Sequence, residues 1–310
     1  MPGCACALRV SRRALRLIIA MPAFDPRLTP ARADLAAEEL QGKVAAARFV
    51  EGHPNEVIEA QTGLRATPAP DAPLLTEALK GERVTIYDTN AEGWAWGQLA
   101  ADGYVGWLSA NALAPLAAAA THKVTALRTF AFPGPSIKLP PLEALPLGAR
   151  LAIARIEDRL AVTRAGVYVP APHLAPLDVV EPDFVAVAER FLGVPYLWGG
   201  KTALGLDCSG LVQVALTAAG IPCPRDSDMQ EQALGAPVLS TEEEVLQRGD
   251  LLFWRDHVAI VRDSATLIHA NAFHMAVAIE PLVEAIARIR AAGSEITGAR
   301  RITLPAVAEA

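Results

Sequence analysis

Aromatic residues make up 5% of the 310-residue chain, cysteines number four, and no apolar run is long enough for a membrane span. A membrane helix needs about 18–20 apolar residues in succession, so no span is expected. The cysteines, at positions 4, 6, 208 and 223, do not form a disulfide framework, and their usage suits a reducing compartment. No dense Lys/Arg stripe appears, and 28 basic against 34 acidic residues leave a net charge of −6. Nucleic acid is therefore not an expected partner. His53, His122 and His173 lack ligand spacing, so neither a metal nor a cofactor is expected.

What is present is globular: 52% of the residues are hydrophobic, and the length suffices for two or three compact units. Residues 1–24 carry Arg9, Arg12, Arg13 and Arg16 and no acid before Asp25. Arg16 interrupts their apolar run, whereas a secretory core usually holds about 7–15 unbroken apolar residues. This segment is expected to be a start-site extension ahead of Met21, which places the protein in the cytoplasm. A working leader would place it in the envelope instead. Residues 25–60 are expected to form a helical or extended segment, with Leu35, Leu40, Val44 and Phe49 in a modest helical pattern.

From residue 61 the chain turns β-like. Arg83–Tyr87 alternates, and Gly93-Trp94-Ala95-Trp96-Gly97 and Gly103-Tyr104-Val105-Gly106-Trp107 follow between Asp/Asn/Gly turns. Such short strands predict a small barrel. The pattern resembles a bacterial SH3-like domain, over residues 61–118. Its Trp94, Trp96, Tyr104 and Trp107 are read as barrel core and cleft wall. Further strands at Lys123–Phe130, Ala149–Ile156, Leu160–Thr163 and Gly166–Val169, interrupted by prolines, predict a second, degenerate SH3-like barrel over 122–179.

Residues 181–303 read differently, and 304–310 form a tail. Asp183 can cap a helix through Phe184, Val187, Ala188 and Phe191. A second helix begins at Cys208 and is stopped by Gly220 and Pro222. Strands are expected at Asp250–Trp254, His257–Arg262, Thr266–Asn271 and Ala276–Pro281. Helices followed by an antiparallel sheet make the fold class α+β.

A thiol at a helix start feels free N–H groups and the positive end of the helix dipole, which favour the thiolate. Side chains alternate along strands, so a hairpin loop of odd length puts His257 directly opposite His269, on one face. One imidazole can then act on the Cys208 thiol while the other orients it. A one-residue slip would separate them. The Cys208 N–H, with Tyr196 as a side-chain donor, is a candidate oxyanion hole. Asp207 is equally a helix N-cap or a substrate group. His274 is expected to face solvent from a loop.

Six elements occur in order: Pro-Tyr-Leu-Trp-Gly-Gly, Asp-Cys-Ser-Gly-Leu-Val, Pro-Arg-Asp-Ser-Asp-Met-Gln, Gly-Asp-Leu-Leu-Phe-Trp, His-Val-Ala-Ile-Val and Ile-His-Ala. Together they resemble the NlpC family of papain-like cysteine peptidases, which cut cell-wall peptides. The resemblance implies a papain-like catalytic domain preceded by two small all-β SH3-like barrels. It makes Cys208 the nucleophile, His257 the base, His269 the residue that orients it and Tyr196 part of the oxyanion site. Asp207 and Ser209 become substrate-positioning groups, and Asp226 and Ser227 hold the ammonium of a stem peptide with a free N-terminal L-Ala. The implied reaction hydrolyses the γ-D-glutamyl–diamino acid bond of murein-derived peptides. Two rivals are an amidase or acyltransferase using the same thiol, and a non-catalytic murein-binding protein.

Overall fold

The computed structural model describes residues 24–239 and 245–303. The expected leader through residue 23 with Cys4 and Cys6, the acidic stretch Glu242–Glu244, and the tail from residue 304 lie outside the described residues. The fold is α+β: β-rich N-terminal stretches precede a C-terminal unit of helices packed on an antiparallel sheet.

Seven strands form the first sheet, in the spatial order Leu74–Leu79, Gln61–Arg65, Val105–Ser109, Trp94–Leu99, Arg83–Thr89, His53–Val57, Leu113–Pro115. Val57, Leu64, Val84, Leu99 and Leu108 supply its core, with Tyr104 beside them. Gly97 and Gly106 are paired across two strands, and a Cβ at either would meet backbone: Thr85 O at 2.6 Å or Arg65 O at 2.9 Å. The glycines therefore alternate with the tryptophans because neighbouring strands press against them.

The helical pattern expected within 34–60 does not become an α-helix. Ala36–Ala37 pairs in parallel with Phe49–Val50, a single 3-10 turn covers Glu38–Leu40, and His53–Val57 joins the sheet. Leu35, Ala37 and Leu40 instead cover Tyr87, Trp96 and Val105, and Gly42 takes a φ of +78° that suits a break.

Residues 122–176 make three small sheets. The expected strand Lys123–Phe130 is two, His122–Val124 and Arg128–Ala131, because the first half pairs with Leu174–Pro176 and the second with Glu143–Pro146. Ala149–Ile156 likewise divides into Arg150–Leu151 and Ile153–Glu157.

In the C-terminal unit Asp183 caps α1 (Phe184–Glu189), accepting from the Val185 and Ala186 N–H groups at 2.9 and 3.3 Å. Helices α2 (Cys208–Ala218), α3 (Ser227–Ala233) and α4 (Leu282–Ala291) follow. The strands are β1 (Asp250–Trp254), β2 (His257–Val261), β3 (Thr266–Asn271), β4 (Ala276–Pro281) and β5 (Ile296–Arg301). They lie in the order β5-β1-β2-β3-β4, with Ala236–Pro237 on the outer edge of β5. Period-two alternation sends Leu251, Phe253, Val258, Ile260 and Ile268 toward α1 and α2. Leu252, Trp254, Ala259, Val261 and Leu267 meet Leu282 and Ala285 of α4 on the other face. No helix among the described residues is long and apolar enough to cross a membrane.

Buried polar bonds tie this unit to the first sheet. Lys201 donates its N–H to Glu77 at 2.8 Å and its ammonium to Glu82 at 3.3 Å. Arg225, 1% exposed, donates to Thr76 Oγ1 at 2.9 Å and to both oxygens of Asp207 at 2.9 and 2.6 Å. Removing one member of a buried ion pair leaves the other charge uncompensated, at a cost of about 3–5 kcal/mol. Arg225→Met is accordingly expected to lower the unfolding free energy in urea by about that amount. A loss below about 1 kcal/mol, the range of an exposed pair, would refute the role given to this bond.

Candidate active site

Cys208 is the first residue of α2, 7% exposed, and its thiol meets the backbone N–H groups of Val258 and Ser209. Val258 follows His257, so the thiol sits at the rim of the sheet, on the peptide that carries the imidazole. Among the described residues no hydrogen bond joins the thiol to His257 directly. Burial, then the Asp207 carboxylate, push the thiol up to about 12, while the two N–H groups and Arg225 pull the other way. The thiolate expected from the helix start is thus overruled in the resting protein by desolvation and a neighbouring charge. Cys223 is buried and, like Cys208, a free thiol.

His257 and His269 do meet. Their Nε2 and Nδ1 atoms lie 2.8 Å apart. The register differs from the expected one: β2 and β3 pair Ile260 with Ile268 and Val261 with Leu267, so His257 is diagonal to His269 rather than opposite. The offset is two residues, and an even shift preserves the face. Burial first, then His269 and Arg288, bring His257 down to about 3; burial also lowers His269. Both rings rest neutral.

His269 reaches further, with Nε2 2.8 Å from Glu280 Oε1. Glu280 is held by Arg288 of α4, whose Nη2 lies 2.6 Å from Oε1 and Nε 3.2 Å from Oε2. Burial raises this carboxyl, yet the His269 and Arg288 hydrogen bonds outweigh it and bring it to about 2. Glu280 and Arg288 were missed from sequence. Glu280 shares strand parity with His269, which β3 and β4 pair with Ala278, but nothing in the sequence fixes which strand lies beside β3.

Tyr196 is half-buried on the loop before α2, bridged to Leu206. Burial, then the charges of Cys208 and Asp207, raise its phenol above the ordinary value, so it stays protonated and able to donate.

Asp207 and Ser209 are not free for substrate. Asp207, 6% exposed, accepts from Gly210 N at 2.7 Å, which caps α2, from Gly199 N at 2.8 Å, and from Arg225. Ser209 donates to Asp207 at 3.3 Å and accepts from Arg225 at 2.9 Å. The expected substrate-positioning pair is a buried scaffold, because Arg225 saturates it.

Asp226 stands at the N-cap of α3, with Ser227 as the helix's first residue, but its side chain makes no capping bond. It turns instead toward the first sheet, where Tyr104 donates its hydroxyl at 3.0 Å and Arg27 donates from Nη1 at 2.7 Å. Arg27 also pairs with Asp25 and Asp228 at 2.8 Å each. Three carboxylates around one guanidinium leave an excess of two negative charges. Arg27 carried no recognisable signal in the sequence. His274 is exposed as expected, and its Nδ1 lies 3.4 Å from Glu280. Among the described residues no set of three or more His, Cys, Asp or Glu side chains converges to hold a metal ion.

Comparison with known proteins places the chain's C-terminal unit in a family. The model of the NlpC/P60 family matches residues 193–293, which span α2, the histidine pair and the Glu280 relay. Residues 193–293 form an NlpC/P60 domain. The model for the bacterial dipeptidyl-peptidase SH3 domain matches residues 64–113, within the first sheet. The chain is 37% identical over 89 residues to dipeptidyl-peptidase 6 of Lysinibacillus sphaericus, a stretch covering 29% of this chain and 32% of that one. It is 33% identical over 108 residues to the γ-D-glutamyl-L-lysine dipeptidyl-peptidase of Bacillus cereus, covering 32% and 31%. The chain thus spans about a third of the length of the curated relatives it matches. The crystal structure of an NlpC/P60 family protein from Bacillus cereus superposes with a TM-score of 0.68, at 23% identity, over 81% of this chain and 100% of that one. That likeness establishes the fold.

The neutral histidines of the NlpC/P60 domain carry a pH signature. His257 in the unfolded chain takes up a proton near its ordinary 6.5, whereas in the folded chain it does so only near 3. Between those values the unfolded state binds more protons, so stability rises with pH and falls on acidification. The urea midpoint is expected to drop as pH falls from 6.5 toward 3, with a shallower slope in His257→Asn. Equal slopes in the two proteins would show that His257 is not buried as a neutral ring.

Proposed function

We propose that the chain is a cysteine peptidase that hydrolyses the γ-D-glutamyl–diamino acid bond of murein-derived stem peptides bearing a free N-terminal L-Ala. The observation that carries the reading is a helix-start thiol held against the strand that bears a hydrogen-bonded histidine pair. The name of the Bacillus cereus relative, a γ-D-glutamyl-L-lysine dipeptidyl-peptidase, supports the same substrate class.

In this reading His257 takes the Cys208 proton as sulfur attacks the γ-carbonyl carbon. The Cys208 N–H and the Tyr196 hydroxyl stabilise the developing oxyanion. The tetrahedral intermediate collapses to a thioester, and the imidazolium returns its proton to the departing diamino acid amine. Water, deprotonated by His257, then hydrolyses the thioester and restores the thiol. A neutral thiol beside a neutral imidazole suits this sequence, since charge separates only as the carbonyl is attacked.

The substrate's ammonium is assigned to Asp226, with Ser227 beside it. The excess negative charge around Arg27 attracts a cation, and a carboxylate accepts charge-assisted hydrogen bonds. We also read residues 61–118 and 122–179 as two SH3-like barrels, with 181–303 as the peptidase domain. Tyr104 of the first barrel would wall the cleft at Asp226. A cytoplasmic placement with a role in peptide recycling belongs to this proposal, with the envelope as its alternative.

Incubation with the free tripeptide L-Ala-γ-D-Glu-diamino acid is expected to release the diamino acid, and Cys208→Ala to abolish release while retaining binding. Activity confined to sugar-linked peptide would favour the amidase rival, and turnover by Cys208→Ala would end the mechanism. Asp226→Asn is expected to raise KM by about 10- to 100-fold, the worth of one charged hydrogen bond. An N-acetylated tripeptide should show no such difference between the two proteins; an equal rise for both peptides would remove Asp226 from ammonium binding. Mass spectrometry of the native N-terminus tests the start-site reading, and cleavage after a small-residue site would replace it with export.

A further inference from the structure

We propose that Glu280, clamped by Arg288, is the positioning residue that selects the tautomers of both histidines and thereby makes His257 Nδ1 the base. The inference rests on the reading of Cys208 and His257 as the reacting pair, but its geometry stands apart from any substrate.

Each bond in the chain dictates the next. Glu280 is ionised and 7% exposed, so its Oε1 can only accept at the 2.8 Å contact with His269. His269 must therefore carry its proton on Nε2. A neutral ring with Nε2–H leaves Nδ1 as an acceptor, and that atom lies 2.8 Å from His257 Nε2. His257 must then donate from Nε2, and its remaining lone pair sits on Nδ1. With the opposite tautomer His257 would present N–H at Nδ1 and have no lone pair there for the thiol proton.

Arg288 makes the device one-way. Its two contacts with Glu280, at 2.6 and 3.2 Å, hold both carboxylate oxygens. The guanidinium itself stacks on Phe273, 4.3 Å from the ring centroid. Three strands supply the histidines and the carboxylate through the same step: His257 is diagonal to His269, and His269 to Glu280, across neighbouring registers. The titratable and charged groups facing the relay are His257 on β2, His269 on β3, Glu280 on β4, His274 from the loop between β3 and β4, and Arg288 on α4. Once His257 takes the thiol proton, the ionised carboxylate also favours the new imidazolium through His269.

The test is the imidazole nitrogen NMR spectrum of 15N-labelled full-length protein near pH 7. The wild-type protein is expected to show Nε2–H on both His257 and His269. Nδ1–H on either ring overturns the proposal, and this measurement needs no variant to fold. Glu280→Ala is expected to give mixed tautomers at His269 and to lower kcat about 10- to 100-fold with KM unchanged, as for a partner one hydrogen bond removed from the ligand it orients. Unchanged tautomers in a folded Glu280→Ala protein would overturn it, whatever the rate. Glu280→Asp, which keeps an acceptor carboxylate, is expected to retain the Nε2–H tautomer; its loss there would count against the carboxylate as the selecting group. If Cys208→Ala still turned over peptide, the peptidase reading would fail while the tautomer spectrum stood unchanged.

Discussion

A single buried carboxylate, that of Asp207, organises the region around Cys208. One oxygen caps α2 through the Gly210 N–H, and the other holds the Gly199 N–H of the preceding loop. Both oxygens bind Arg225, which continues to Ser209, to Gly200 and, across the unit boundary, to Thr76. Helix start, cleft loop and first sheet are thereby referred to one point. A buried ion pair of this kind adds little net stability over a well-packed apolar replacement, because both ions must be desolvated before they attract. Here every donor and acceptor around Asp207 is matched, which is the condition under which such a network holds one geometry.

That same carboxylate shapes the chemistry. Asp207 lies next to Cys208 and, with burial, raises the thiol. The helix N-terminus and the N–H groups of Val258 and Ser209 act in the opposite sense and are outweighed. Across the sheet rim the histidines are also held neutral by burial. Charge at the site therefore lies at its margins, in the Asp207–Arg225 pair on one side and the Glu280–Arg288 pair on the other. Between these ions the Cys208 thiol and the two imidazoles rest uncharged.

Much of this was legible in the residues. The cap at Asp183, the extent of α2 and the strands Asp250–Trp254, Thr266–Asn271 and Ala276–Pro281 follow from local signals that act over a few positions. The union of His257 with His269 was legible through parity alone, and the actual register, two residues away from the expected one, kept it. The pattern Leu35, Leu40, Val44, Phe49 misled because a weak helical period is overridden when a sheet offers those side chains a better surface beside Tyr87 and Trp96. Two of the strands expected in residues 122–179, Lys123–Phe130 and Ala149–Ile156, divided where pairing partners change, a feature no single strand encodes.

The sequence by itself determined the α+β class, the thiol at a helix start and the shared face of the two histidines. Each depends on spacing along the chain, on periods of 2 or 3.6 residues and on capping within a turn. Tertiary structure alone decided that Asp207 and Ser209 serve Arg225, that Asp226 faces Arg27 and Tyr104, and that Glu280 ends the histidine chain. Arg27 and Asp226 are 199 positions apart, and Arg225 and Thr76 are separated by 149. Which charges meet at such distances depends on how sheets and helices pack, because hydrogen bonds and ion pairs act over a few ångströms of space and take no account of separation along the chain.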